Sequence, residues 1–242
     1  MRQVVAALLV SVFVLAGCSA SPDEKIERST LEVMYDTAQR HLDVGRYADA
    51  AQVLEQINTA YPFGAYTQQV QLDLMFAFYK IADQDKALAT IDRFLQLNPN
   101  HADLDYVRYM RALVYQQAEF SFFQNLFNID RSDRSTYYAE RAFEEFGELI
   151  RRYPNSQYAP DARMRMLALS SRLARHDIAV AEYYLRREAF VAAANRAKGI
   201  IESHPHAPEQ KRALEIMVES YTKLGMDTLA SDAQSLLQAY TN

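Results

Sequence analysis

The sequence predicts an all-α protein, and two observations carry that prediction. The chain of 242 residues contains only six Gly, about a third of the usual frequency. A sheet protein of this size needs tight turns with residues that tolerate positive φ, and this chain has too few of them. In addition, apolar residues recur at the helical spacing i, i+3, i+4, for example at Val53, Leu54 and Ile57. Half of the residues are apolar and 24% are charged, which argues against a disordered chain.

Residues 1–17 are predicted to be a lipoprotein signal peptide rather than part of the fold. Arg2 provides a positive start, and the apolar run from 4 to 15 is shorter than the roughly 20 residues of a membrane span. The following Leu15-Ala16-Gly17-Cys18 resembles the lipobox of bacterial lipoproteins, in which cleavage precedes the Cys and the Cys is acylated. An ordinary signal peptide with a chance Cys and a buried N-terminal helix are the alternatives.

The segment after the cleavage point is predicted to be a tether, covering 18–28 and including Pro22. Ser19 resembles the sorting signal of lipoproteins that reach the outer membrane, and acyl chains such as palmitate on Cys18 would anchor the chain there. Cys18 is the only Cys, so no disulfide can form within the chain. Cleavage of the signal peptide would remove Arg2 and change the net charge from −5 to −6. This negative charge argues against nucleic acid as a partner.

Prolines mark the boundaries of the remaining apolar runs. One proline opens a run, and the others follow one, as expected where the missing N–H of proline costs least. The opening residue is Pro160, and the others are Pro62, Pro99, Pro154, Pro205 and Pro208.

The runs between prolines resemble the tetratricopeptide repeat, a helix-turn-helix unit of 34 residues. Small residues are expected at positions 8 and 20, an aromatic residue near 11 or 17, and Gly near 15. These positions are occupied by Ala38, Gly45, Tyr47 and Ala50 in the first unit, by Phe78 and Ala87 in the second, by Ala112, Tyr115 and Ala142 in the third, by Ala181, Tyr184, Phe190 and Ala193 in the fourth, and by Tyr221, Gly225 and Ala230 in the fifth. The sequence therefore predicts a superhelix of five helix pairs, about ten helices in all.

The third unit is interrupted, which divides the repeats into two halves. Residues 29–118 hold repeats 1 and 2 and helix A of repeat 3, and 137–242 hold helix B of repeat 3 and repeats 4 and 5. The insert at 119–136 is either a docking loop or a short helix that packs its Phe residues on the repeats; its aromatic residues include Phe120, Phe122, Phe123 and Phe127. Residues 160–187 predict one long helix protruding from the stack, with two helices broken near His176 and Asp177 as the alternative.

A search for catalytic chemistry indicates that the chain is not an enzyme and predicts no cofactor and no metal. The nucleotide-binding, metalloprotease and nucleophile-elbow motifs are absent from the sequence. His204 and His206 flank Pro205 and could bind a metal, but solvated turn residues are the favoured interpretation. Asp130 and Asp133 could bind Ca²⁺, but the neighbouring arginines favour a self-neutralising surface loop.

The repeat pattern instead predicts a concave groove for a peptide. Positions 2, 5, 9, 12 and 13 of helix A face that side in such repeats. They are Glu32, Tyr35, Gln39, Leu42 and Asp43 in the first unit, Gln69, Leu72, Phe76, Tyr79 and Lys80 in the second, and Tyr106, Tyr109, Leu113, Gln116 and Gln117 in the third. Five aromatic residues among polar neighbours suit an extended or aromatic-ended peptide. Contacts with adjacent helices are the alternative for each of them.

Several further stretches resemble the BamD (ComL) family, the lipoprotein subunits of the outer-membrane β-barrel assembly machinery. These stretches are 61–64, 68–74, 91–94, 105–106, 109–111, 130–134, 153–156, 181–184 and 195–196. The resemblance implies a non-enzymatic lipoprotein of five repeats on the periplasmic face of the outer membrane. The Phe content of the insert departs from the family pattern.

The resemblance also implies partners and sites. The amino-terminal repeats would bind the carboxy-terminal signal of unfolded outer-membrane proteins, and Tyr61, Phe63 and Tyr66 lie at that surface. The carboxy-terminal repeats, with Arg187 and Arg196, would dock the POTRA domain of BamA nearest the barrel and small accessory lipoproteins. Another periplasmic repeat adaptor that coordinates envelope or peptidoglycan machinery remains the alternative.

Overall fold

A computed structural model describes residues 22–64, 66–124 and 136–241, with side chains at 30–64, 66–119 and 136–240. The predicted signal peptide, Cys18, Asp130 and Asp133 lie outside the described residues, and so do the side chains of Phe120, Phe122, Phe123 and Phe127.

The described residues form ten α-helices and no strand, which confirms the all-α prediction. We number them in chain order: α1 (Pro22–Asp43), α2 (Tyr47–Ala60), α3 (Thr67–Lys80), α4 (Gln84–Leu97), α5 (Leu104–Gln124), α6 (Tyr137–Arg152), α7 (Ala159–Arg186), α8 (Phe190–Ser203), α9 (Gln210–Lys223) and α10 (Asp227–Thr241). None of these helices combines the length and apolar character needed to cross a membrane.

The described residues up to Val70 form one compact unit, in which α1 packs against α2. Ala38 on α1 and Ala50 on α2 are fully buried, at the two small-residue positions of the first repeat. Leu54 and Ile57 extend this contact along α2 as the apolar stripe of an amphipathic helix.

The described residues from 71 onwards form the second compact unit. Here α4 packs on α5, α5 on α6, α6 on α7, α7 on α8, α8 on α9, and α9 on α10. The predicted small residues allow these close approaches, since all of them except the last are fully buried: Ala87, Ala112, Ala142, Ala181 and Ala193. Ala230 on α10 is only half-buried.

Four turns within helix pairs share one backbone geometry. Gly45 and Gly225 have φ of +75° and +69°, and Ala82 and Glu188 take the corresponding position at +58°. In each turn the amide of this residue donates to the carbonyl three residues earlier, at 3.0–3.1 Å. The left-handed conformation ends the first helix of the pair and turns the chain into the second.

In four of the five helix pairs the second helix ends two residues before a proline. Tyr61, Asn98, Tyr153 and His204 have φ between −127° and −130° and ψ between 59° and 66°. The proline ring excludes the helical conformation at the preceding residue, so the sequence itself sets these four helix ends.

The structure differs from the predicted boundaries at two places. α1 begins at Pro22, inside the predicted tether 18–28, because proline fits the first turn of a helix as well as it fits an extended segment. α5 continues to Gln124, so the first six residues of the predicted insert 119–136 are helical, and 125–135 lie outside the described residues.

The long helix is confirmed as one continuous element, since α7 spans 28 residues. The prediction that it protrudes is wrong. Ala159 and Ala162 near its start and Ala174 and Ala181 near its end are all fully buried. α7 packs on α6, α8 and α9, so its length bridges successive helix pairs.

Candidate partner-binding surfaces

The loop between α2 and α3 presents aromatic residues in the first unit. Tyr66 packs against Tyr35 of α1 with ring centroids 5.2 Å apart. Tyr61 caps α2 by donating its amide to the Ile57 carbonyl at 2.8 Å. Phe63 is 91% exposed. We call Tyr35, Tyr61, Phe63 and Tyr66 the aromatic corner. An exposed Phe on a loop that also carries half-buried Tyr residues offers apolar area to a partner.

Four of the five predicted groove residues of α3 lie in the second compact unit, and Gln69 lies in the first. Phe76 and Tyr79 are half-buried, and the Lys80 ammonium lies 5.8 Å from the centre of the Phe76 ring. Leu72, also predicted to face the groove, is only 5% exposed and belongs to the core. When a helix packs against neighbours on two sides, the 3.6-residue period of its apolar residues does not show which side faces a groove and which side faces the core.

Tyr106 and Tyr109 of α5 are bound into an internal network. The Tyr109 ring stacks on Tyr158 at 4.7 Å, and its hydroxyl donates to Asp161 of α7 at 2.6 Å. The Tyr106 ring also packs against Tyr158, with 5.8 Å between the ring centroids. Both residues therefore connect α5 to the start of α7. For Tyr106 and Tyr109, the structure therefore supports the alternative interpretation, in which a predicted groove residue contacts adjacent helices.

Burial, together with the hydrogen bonds and charges of this network, shifts the pKa values of its members. Burial and the hydrogen bond to Asp161 raise the pKa of Tyr109 to about 12. Burial, with Tyr158 and the carboxylates of Asp73 and Asp103 adding to it, raises the pKa of Tyr106 well above its ordinary value. Both phenols stay protonated at any physiological pH, and that of Tyr109 donates to Asp161.

Asp161 is the acceptor at the centre of this network. Burial disfavours its charge, but hydrogen bonds from Tyr109 and Arg165 outweigh burial and hold the pKa of Asp161 below its ordinary value. The Arg165 guanidinium bridges from Asp161, at 2.5 Å, to the Gln116 amide oxygen, at 2.7 Å. Gln116 and Leu113, two further residues predicted to face the groove, are 6% and 7% exposed and are buried here instead.

The predicted docking arginines lie on the last part of the second unit. Arg196 of α8 forms an ion pair with Asp177 of α7 at 3.1 Å, and its side chain is 46% exposed. It lines a cleft of about 500 Å³ together with Tyr184, Asn195 and Gly199. Arg187 is exposed, and its guanidinium lies 5.9 Å from the Tyr183 ring centre.

The two histidines around Pro205 differ from each other. His206 is exposed, as predicted for a turn residue. For His204 the prediction is wrong: it is 7% exposed and shares a 3.0 Å hydrogen bond with Ser170 of α7. Burial lowers the pKa of His204, although the carboxylates of Asp177 and Glu209 oppose that shift. Within the described residues, no group of three or more His, Cys, Asp or Glu is placed to hold a metal ion.

A buried ion pair that the sequence did not reveal ties α5 to α7. The Arg172 guanidinium lies 3.3 Å from the Glu119 carboxylate, which is 4% exposed. Burial raises the pKa of Glu119 against the opposing effect of Arg172. The two residues are 53 positions apart, so no local spacing could have indicated the contact.

Comparison with known proteins places the chain in a family. A family model described as outer membrane lipoprotein (YfiO) matches residues 27–236. The outer membrane protein assembly factor BamD of Vibrio cholerae is 44% identical over 95% of this chain and 95% of its own length. The BamD of Neisseria meningitidis serogroup B is 39% identical over 86% of this chain and 78% of its own length. A tetratricopeptide repeat protein from Parabacteroides merdae, solved by crystallography, superposes with a TM-score of 0.41 at 13% identity, covering 87% of this chain and 80% of its own.

The paired helices, the small residues buried between them and the repeated left-handed turns define a helical-repeat protein of the tetratricopeptide type. By the family model and by its relatives, the chain belongs to the BamD family of outer membrane lipoproteins. This membership supports a role in outer membrane protein assembly and an association with the outer membrane.

Proposed function

We propose that the chain is a non-enzymatic scaffold that binds unfolded outer-membrane proteins and holds them beside the barrel-forming subunit. Acyl chains on Cys18 would anchor it to the outer membrane, with the repeats in the periplasm. The relatives named as outer membrane protein assembly factors support the part of this proposal that concerns outer membrane protein assembly.

Substrate binding is assigned to the aromatic corner, and the exposure of Phe63 is the observation that carries it. A side chain of this size left 91% exposed forgoes the stabilisation that burial would provide. Tyr66 is held against Tyr35, so the loop that carries Phe63 is fixed at one end. Both features suit an aromatic residue of an extended peptide, which would cover Phe63 and pack beside the two Tyr rings.

A peptide titration tests this assignment. Phe63→Ser is expected to weaken binding of a labelled peptide with an aromatic carboxy-terminal residue by about tenfold, because the lost apolar burial corresponds to that factor. Val44→Ser, which changes another exposed apolar residue of the same unit, should bind as the unmodified protein does. Equal affinities for Phe63→Ser and the unmodified protein would remove the aromatic corner from substrate binding.

Partner docking is assigned to α8, with Arg196 as its charged contact and Arg187 as a flanking cation. BamA, through the POTRA domain nearest its barrel, is the proposed main partner, with accessory lipoproteins beside it. The half-exposed guanidinium of Arg196, positioned by Asp177 at the edge of an open cleft, supports a charge-assisted contact.

Arg196→Ala should reduce co-purification of BamA while the helical circular dichroism stays unchanged. Asp177→Asn is the matched control, since it removes the internal ion pair but keeps the guanidinium. We expect Asp177→Asn to retain BamA. Loss of BamA with both variants would show that the ion pair positions α8 and that Arg196 does not itself contact the partner.

A further inference from the structure

The cleft at Arg196 adjoins a second cleft, which lies between α6, α7 and α8. The second cleft has a volume of about 390 Å³. Asp177 and Ser203 line both clefts, and the carboxylate of Asp177 is paired with Arg196 at 3.1 Å. His204 lines the second cleft. Asp177 therefore belongs both to the proposed docking cleft and to a cleft that contains a buried imidazole.

The structure holds the His204 ring at one position. The His204 amide ends α8 by donating to the Ile200 carbonyl at 2.9 Å, and its carbonyl accepts from the Gln210 side chain at 3.1 Å. The Phe143 ring packs edge-on against the imidazole, with 6.2 Å between the ring centroids. These contacts do not involve the ring nitrogens, so they persist when the ring takes up a proton.

The hydrogen bond to Ser170 suits both protonation states of His204. The Ser170 hydroxyl lies 3.0 Å from Nδ1 of the ring. A hydroxyl group can donate to a neutral imidazole or accept from a protonated one. The ring also lies at the C-terminus of α8, where the helix dipole favours a positive charge. Protonation therefore adds a charge to the cleft without breaking this hydrogen bond.

Two carboxylates outside α6 act on the His204 ring. Burial lowers the pKa of His204, and the carboxylates of Asp177 and Glu209 oppose that shift. Glu209 accepts a hydrogen bond from the Ser171 hydroxyl at 2.7 Å and lies 3.4 Å from the Arg175 guanidinium. Both of these partners belong to α7, so Glu209 is tied to that helix. Asp177 is the carboxylate through which a charge on the ring reaches the docking cleft.

The other titratable groups of the second cleft come from α6 and α7. Glu144 is paired with Arg141 at 2.6 Å, and Glu140 accepts a hydrogen bond from Thr136. The charge of Glu144 is therefore already balanced within α6. His176 of α7 is a second imidazole in the lining, next to Asp177 in the sequence. Any effect of pH on this cleft must be assigned to one of the two imidazoles.

We propose that protonation of His204 strengthens the docking of an acidic partner surface at Arg196. A positively charged ring competes with the guanidinium for Asp177, which releases Arg196 to pair with a carboxylate of the partner. The added positive charge also attracts that carboxylate. Both effects have the same sign, so docking tightens as the pH falls. This inference rests on the proposed function, because it takes Arg196 as a partner contact.

An NMR titration of the His204 ring tests the coupling without any partner. Arg196→Ala removes the cation that competes for Asp177, so the pKa of His204 should rise by about 0.5. Asp177→Asn removes the carboxylate and should lower the pKa of His204 by at least about as much. The matched control is Lys198→Ala, which removes another exposed cation of α8 and should leave the titration unchanged.

The affinity for purified BamA, measured with the acylated full chain in mild detergent, tests the consequence for docking. If a partner carboxylate draws Arg196 away from Asp177 as Arg196→Ala does, linkage converts a pKa change of about 0.5 into about a threefold change in affinity. The unmodified protein should therefore gain about threefold more affinity than His204→Gln between pH 7.5 and pH 5. Titrating groups of BamA act equally on both proteins and cancel in this comparison.

Two control variants assign the effect to one imidazole. His176→Gln and His206→Gln should both keep the gain in affinity of the unmodified protein at low pH, since each retains His204. Loss of the gain in His176→Gln, with His204→Gln unaffected, would assign the effect to His176 and contradict the proposal. The NMR titration of the unmodified protein, Arg196→Ala and Asp177→Asn leaves His204 in place, so the coupling can be measured even if His204→Gln does not fold.

Two further results would overturn the proposal. One is a pKa of His204 that is the same in the unmodified protein, Arg196→Ala and Asp177→Asn. The other is equal dependence of BamA affinity on pH in the unmodified protein and His204→Gln. Failure of the proposed docking site has a different signature: Arg196→Ala would bind BamA as the unmodified protein does at pH 7.5, whatever the NMR titration shows.

Discussion

The residue at the turn of each helix pair shows how one backbone position constrains the sequence. Gly45 and Gly225 occupy it without steric cost, whereas Ala82 and Glu188 carry a Cβ at φ of +58°. A left-handed residue with a Cβ costs roughly 1–2 kcal/mol. The repeat pattern predicted Gly near this position, and two of the repeats depart from it at the expense of stability.

Replacing either of these residues with Gly should therefore stabilise the protein. We expect Ala82→Gly and Glu188→Gly each to raise the free energy of unfolding by about 0.5–1 kcal/mol, the relief of strain minus the greater entropy of Gly in the unfolded chain. Denaturant melts measure the change. The control Ala89→Gly, at an exposed position inside α4, should destabilise the protein by about as much. A destabilised Ala82→Gly would contradict the turn geometry.

His204 gives the protein a pH-dependent contribution to stability. Burial lowers the pKa of His204 in the folded state. In the unfolded chain the pKa has its ordinary value of about 6.5. At a pH between these two values, only the unfolded chain takes up the proton. The contribution of the neutral ring is complete above about pH 6.5 and decreases as the pH falls below it. Around the ring lie Ser170 and Asp177 of α7, Phe143 of α6 and Glu209 before α9.

As the pH is lowered from about 7.5 to 5, the melting temperature should accordingly decrease less in His204→Gln than in the unmodified protein. His206→Gln, at the exposed residue two positions on, should follow the unmodified protein. An identical pH profile for His204→Gln and the unmodified protein would show that the buried ring does not titrate in this range.

At the residue scale, sequence reasoning succeeded where a pattern repeats and failed where a contact is distant. Ala38, Ala50 and Ala193 were identified because small residues recur at fixed repeat positions, and all three are fully buried. His204 was misjudged because its neighbour Pro205 indicates a turn. Its hydrogen-bond partner, Ser170, lies 34 positions earlier.

Helices α7 and α8 illustrate the element scale. The absence of Gly and internal Pro from 161–187 predicted the length of α7, because only chain breakers end a helix whose apolar period continues. Its packing could not be predicted in the same way. Periodicity identifies an apolar stripe but does not reveal which helices cover it, and α7 is covered by α6, α8 and α9.

Ala193 of α8 tests this packing directly. Ala193→Glu should lower the free energy of unfolding by at least about 3 kcal/mol, because it places an unpaired charge between α8 and its neighbours. The melting temperature measures the loss. Val191→Glu on the exposed side of α8 should change stability by at most about 0.5 kcal/mol. A retained melting temperature for Ala193→Glu would show that the repeat register is wrong in this helix pair.

At the scale of the whole molecule, the sequence predicted the fold class and the family and left the sites open. Helix pairs can be predicted from composition, proline spacing and small-residue positions because each of these acts locally. A binding surface depends on which aromatic residues remain uncovered after packing. Tyr109 and Phe63 were both predicted as binding residues, and the structure places one in an internal network and leaves the other exposed.

The central claim is that this helical-repeat lipoprotein joins the machinery that assembles outer-membrane proteins. The most direct measurement is a pull-down of the tagged, acylated full chain from membranes in mild detergent, with partners identified by mass spectrometry. A stoichiometric outer-membrane β-barrel protein with POTRA domains is the predicted result. Recovery of peptidoglycan or other envelope proteins in its place would contradict the claim and assign the same fold to a different adaptor.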